Sequence, residues 1–107
     1  MGAFEEREEG FEKRFAADEA LSFKARARRN RLLGLWAAQL IGKSGAEAES
    51  YAKALVAAQV ERADEESLFA VLRADLSAAG ADISDHRIRR KMGETLAQAR
   101  NEIAAGE

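Results

Sequence analysis

The sequence holds no proline in 107 residues, although average usage is about 5%. Proline removes a backbone donor and clashes with the preceding helical turn. A chain without it can be helical almost anywhere. Alanine makes up about a fifth of the residues and is the best helix former, with Leu, Glu, Arg and Lys close behind. β-branched residues are scarce and never alternate over the length of a strand. The chain reads as all-α, and its length suits one domain with a single core.

Turn residues divide it. Gly42-Lys43-Ser44-Gly45 reads as a turn, and Ser44 with Glu47 has the spacing of a capping box. Asp64 followed by Glu65 and Glu66 reads as an N-cap with acids in the first turn, where the helix dipole favours them. Gly80 suits the left-handed position that ends a helix, and Ser84-Asp85 suits the start of the next. These signals predict helices near 17–41, 46–62, 65–79 and 85–105. Apolar spacing supports them: Leu32, Leu33, Trp36 and Leu40, then Tyr51, Leu55 and Ala58, then Leu68, Phe69, Leu72 and Leu76, then Ile88, Met92, Leu96, Ala99 and Ile103. Short connections make sequential neighbours antiparallel. The expected architecture is an all-α, four-helix bundle over 20–107 with a flexible, partly helical N-terminal segment over 1–19.

Several function classes drop out. With no cysteine there is no disulfide, thiol nucleophile or zinc-thiolate site, and one histidine cannot build a multi-histidine metal centre. A net charge of −2 argues against bulk nucleic-acid binding. No apolar run is long enough to span a membrane, and the charged first residues show no signal-peptide core. The expectation is a cytoplasmic protein, not an enzyme, with no metal and no cofactor.

Charge is distributed in blocks. Residues 1–20 carry net −4, 21–43 net +6, 44–85 net −6 and 86–107 net +2. Alternating signs could let neighbouring helices attract one another. The first segment stands apart from the rest. Phe4, Phe11 and Phe15 fall within about 40° of one another at 100° per residue. Glu5, Glu6, Arg7, Glu8, Glu9, Glu12, Lys13 and Arg14 occupy the remaining circumference. Gly10 weakens the helix by about 1 kcal/mol relative to alanine. Three rings on so narrow a stripe stabilise an isolated helix poorly but suit one that docks into a groove. The other reading is an extension of the first helix that packs back on the bundle.

Two basic runs call for a function of their own. Lys24, Arg26, Arg28, Arg29 and Arg31 spread over several faces and read as a solvated helix surface. His86, Arg87, Arg89, Arg90 and Lys91 open the last helix, where backbone N–H groups and cations together could hold an anion such as a nucleotide phosphate. Gly42-Lys43-Ser44 is not a phosphate loop, because the upstream glycine such a loop needs is Ala37 here. Trp36 reads as core, and His86 as a surface residue.

Three stretches carry a family resemblance: Arg28-Arg29-Asn30-Arg31-Leu32-Leu33-Gly34-Leu35-Trp36-Ala37-Ala38, then Ser44-Gly45-Ala46-Glu47 with Tyr51-Ala52-Lys53, then Ser84 through Met92. Phe11-Glu12-Lys13-Arg14-Phe15 and Arg73-Ala74-Asp75-Leu76 agree as well. The sequence resembles, end to end, the ζ subunit of alphaproteobacterial F-type ATP synthases. That resemblance implies a four-helix bundle whose N-terminal segment wedges into a catalytic α/β interface of the synthase head and blocks ATP hydrolysis. The partner-binding residues it implies are Phe4, Glu5, Arg7, Glu8, Phe11, Lys13, Arg14 and Phe15. The implied partners are the α and β subunits, with the central stalk as a further contact. The protein would then be a monomer on the cytoplasmic head of the membrane-bound synthase. Two other readings stay open: a small nucleotide- or anion-sensing bundle, and an assembly factor of the synthase without inhibitory action.

Overall fold

The protein is seen here as a computed structural model, which describes residues 2–61 and 64–106, with side chains described for 20–60 and 64–106. Four helices follow one another: α1 Gly2–Ile41, α2 Gly45–Glu61, α3 Glu65–Ala78 and α4 Asp85–Ala104. Among the described residues there is no strand. The last three helices lie within a residue or so of the expected bounds. α1 differs, starting at Gly2 rather than near residue 17. Nothing in its sequence breaks the helix outright, since Gly10 costs only about 1 kcal/mol and acids crowd the first turns where the dipole favours them.

The caps work as their chemistry dictates. Asp64 Oδ1 accepts from Ser67 N at 2.7 Å, and the Ser67 hydroxyl donates to Asp64 Oδ2 at 2.8 Å. Ser84 Oγ accepts from Arg87 N at 3.2 Å. α1 and α3 both end in a left-handed glycine. Gly42, at φ 95°, donates to Gln39 O, and Lys43 N reaches back to Ala38 O. Gly80, at φ 75°, donates to Ser77 O, and Ala81 N to Leu76 O. This paired arrangement satisfies carbonyls that a helix end otherwise leaves open.

α1 is the spine, packing mainly on α2 and α4, with α3 resting on α1 and α4. Leu33 and Ala37 from α1 meet Leu55 from α2, Leu68, Leu72 and Leu76 from α3, and Ile83, Ile88 and Met92 beside them. Trp36, Tyr51 and Phe69 flank this core partly buried. Leu40 and Ala58, expected on buried faces, are exposed, and Gln59 is buried in the place of Ala58. α1 and α2 approach so closely that a Cβ on Gly34 would lie 2.8 Å from the Ala52 Cα.

Arg28 of the basic stretch meets Glu102, Arg29 meets Glu65 and Arg31 meets Glu49, while Arg89 of α4 meets Glu66. Three of these four interhelix ion pairs join a basic block to the acidic block of 44–85, and Arg28–Glu102 is the exception. The longest dimension, 64 Å, reflects the 40 residues of α1, which at 1.5 Å per residue span about 60 Å.

Candidate functional site

The segment singled out by sequence forms the first half of α1. Phe4, Glu5, Arg7, Glu8, Phe11, Lys13, Arg14 and Phe15 lie on that helical stretch, and their side chains lie outside the described ones. The expectation of mobility over 1–19 falls on the same stretch. What the structure shows is how the segment is rooted. Ala25 is buried where α1 enters the bundle, while Leu21 (48% exposed) and Phe23 (58%) remain open to solvent just before it. Leu21, Ser22 and Ala25 of α1 and Arg100, Ile103 and Ala104 of α4 line a groove of about 380 Å³ at this root.

One turn further on, the structure corrects the reading of the first basic run as a solvated face. Arg29 is completely buried. Its Nε donates to Asn30 Oδ1 at 2.6 Å, and Nη1 and Nη2 donate to the two Glu65 oxygens at 3.2 and 3.1 Å. Asn30, also fully buried, passes the chain on by donating from Nδ2 to Gln59 Oε1 at 2.5 Å. Because Asn30 must accept from Arg29, its amide end has to face Gln59, which orients both amides. Gln59 Nε2 is left buried with no partner among the described residues. This polar seam ties the middle of α1 to the end of α2 and the start of α3. A signal for it was present: Arg29 sits four residues from both Ala25 and Leu33, in the middle of a buried i, i+4 series that runs on to Ala37.

In the second basic cluster, Arg89, Arg90 and Lys91 meet the protein's own carboxylates. Arg89 forks onto Glu66 through Nη1 and Nη2 at 3.0 and 3.2 Å, with its guanidinium 3.9 Å above the Phe69 ring. The hydrogen bond from Arg89, and then its charge, hold the Glu66 carboxyl below the ordinary glutamate value. The same bond holds the Arg89 guanidinium above its own. Arg90 bonds Glu94 one turn on, and the Lys91 ammonium lies 5.9 Å from the Trp36 ring. His86 and Arg87 are exposed beside them. Tyr51 donates to Asp75 at 2.7 Å. Burial first, and then that bond, push its hydroxyl well above the ordinary phenol value. Among the described residues, no group of three or more His, Asp or Glu side chains is placed to hold a metal ion.

Comparison with known proteins decides what this arrangement belongs to. The family model described as ATPase inhibitor subunit zeta matches residues 1–102, taking in the N-terminal half of α1 together with nearly all of the bundle. The chain belongs to the ATPase inhibitor subunit zeta family. A solved solution NMR structure is 36% identical, with 81% of this chain and 99% of that one covered and a TM-score of 0.70. No curated protein matches. Membership in the zeta family makes the chain a regulatory protein in origin and implies an interaction with ATP synthase. It also accords with a surface built from helix faces and ion pairs. No helix among the described residues is long and apolar enough to cross a membrane.

Proposed function

We propose that this zeta-family chain stops ATP hydrolysis by F-type ATP synthase by inserting residues 1–19 into a catalytic α/β interface, while the bundle remains outside as the stop. The observation that carries this reading is the extent of the family match, which spans residues 1–102 and so takes in the N-terminal segment as well as the bundle. The fold supports it mechanically. Among the described side chains every buried core residue lies between Ala25 and Ala99, and residues 1–19 precede that span. They extend from a helix whose other half is clamped by α2, α4 and the Arg29 seam. A charged helix with three aromatic rings on one side can bury those rings in a cleft and pair its charges at the rim.

The phenylalanines are the place to test this reading. Each buried Phe contributes on the order of 1.5–3 kcal/mol. The double substitution Phe11→Ala with Phe15→Ala should therefore raise the half-inhibitory concentration upward of about tenfold without altering the melting temperature. Hydrolysis by the purified synthase head, titrated with each chain, checks it. Equal inhibition by the two chains would remove the rings from the interface.

A further inference from the structure

The groove at the root of the segment has features of a binding surface in its own right. Leu21, nearly half exposed, forms one wall with Ser22 and Ala25, and Ile103 and Ala104 of α4 form the other. Its volume of about 380 Å³ lies toward the lower end of the range of about 300–1,000 Å³ typical of sites that enclose a small ligand or a large side chain. Arg100 stands at its rim. Among the described residues Arg100 makes no ion pair, whereas Arg29, Arg31, Arg73, Arg89 and Arg90 each have a carboxylate.

Register links the groove to the segment. At 100° per residue, positions 4, 11, 15, 22, 29 and 33 of a continuous helix share a sector of about 40°. α1 is continuous from Gly2 to Ile41. Arg29 and Leu33 in that sector are sealed by the bundle, and Ser22 lies in the groove. A partner surface that follows this side of α1 from position 4 toward the bundle therefore arrives at the groove, where the end of α4 faces it.

We infer that the Leu21–Ile103 groove is a second contact with the synthase head, taking an apolar side chain of the head while Arg100 pairs with a carboxylate beside it. The inference rests on the proposed function and adds to it that α4 contributes to docking. Apolar contact at the groove and a charge pair at its rim divide the work as interfaces commonly do, the pair fixing register and the burial slowing release.

The test measures binding of labelled full-length chain to the purified synthase head, alongside inhibition of hydrolysis. Arg100→Glu and Leu21→Asp are both surface changes. Each should weaken binding about tenfold or more with the melting temperature unchanged, while Lys24→Glu, an exposed charge reversal outside the groove, binds as the parent does. Normal binding by both groove variants, beside weakened binding by the Phe11→Ala, Phe15→Ala chain, would overturn the groove and leave the inhibitory segment standing. Binding without inhibition would overturn the proposed function, and the groove would then be judged on the binding data alone. A parent chain that fails to bind would overturn both. Sedimentation showing a dimer that Leu21→Asp dissolves would assign the groove to a second copy of this chain and overturn its assignment to the head.

Discussion

Two glycines show how one residue type can serve opposite ends. Gly34 lets α1 and α2 meet at backbone distance, because an added Cβ would press to 2.8 Å of the Ala52 Cα. Overpacking of this kind costs about 1–3 kcal/mol, and the better helix propensity of alanine returns about 1 kcal/mol. The obstacle is backbone, which cannot swing aside, so Gly34→Ala should destabilise the bundle, by up to about 2 kcal/mol. Gly93, midway along α4, has nothing within 4 Å of its absent Cβ. There propensity acts alone, and Gly93→Ala should stabilise by about 1 kcal/mol. Urea midpoints moving in opposite directions would confirm the pair of predictions. Tyr51 offers a second test at this scale, since it is the chain's one tyrosine and its ionisation can be followed directly. Its folded pKa lies above the unfolded value of about 10, so its contribution is intact below pH 10 and fades as pH rises through the folded value. Tyrosinate absorbance should lag behind that of a free tyrosine and appear as the protein unfolds. Tyr51→Phe should remove that alkaline contribution at a cost of about 1 kcal/mol from the lost bond to Asp75.

At the scale of elements, α3 is held as much by polar ties as by its leucines. Glu65 and Glu66 at its start reach Arg29 on α1 and Arg89 on α4, and Asp75 accepts from Tyr51 on α2. Arg73 closes the far end, donating to Ile83 O at 2.8 Å and to Asp85 at 2.9 Å. These ties are unequal. Arg31–Glu49 is half-exposed on both sides and should contribute less than about 1 kcal/mol. Glu65→Ala leaves a fully buried guanidinium with only its bond to Asn30 and should cost about 2–3 kcal/mol. Chemical denaturation of Glu65→Ala beside Glu49→Ala measures the difference.

Elements were also where the sequence spoke most clearly. Asp64, Gly80 and Ser84 mark helix ends through local chemistry, which needs no knowledge of the fold. The leucines of α3 report its buried face because the helical period is local too. Arg29 reads as solvated because a guanidinium ordinarily is, and its burial is satisfied only by Asn30 beside it and Glu65 from α3, with Gln59 from α2 behind Asn30. Gln59 replaced Ala58 in the core for the same reason, since Asn30 needed an acceptor. The groove residues Leu21, Arg100 and Ile103 come together only when α1 and α4 cross at the base of the bundle, so no local pattern could have joined them. The N-terminal stripe rests on spacing in the sequence, since its side chains lie outside the described ones.

At the scale of the whole molecule, a helix of about 60 Å is anchored over its second half by α2, α4 and the Arg29 seam. Arg29–Glu65, Arg31–Glu49 and Arg89–Glu66 each join a basic block to the acidic block of 44–85. The proposed function separates holding from blocking: in it the bundle supplies bulk and the segment supplies the contact. The measurement that tests this division most directly is ATP hydrolysis by the purified synthase head, titrated with the full chain and with the chain lacking residues 1–19. The account predicts that the full chain slows hydrolysis to a plateau and that the shortened chain, still cooperative in its melting, leaves the rate unchanged. Full inhibition by the shortened chain would contradict it.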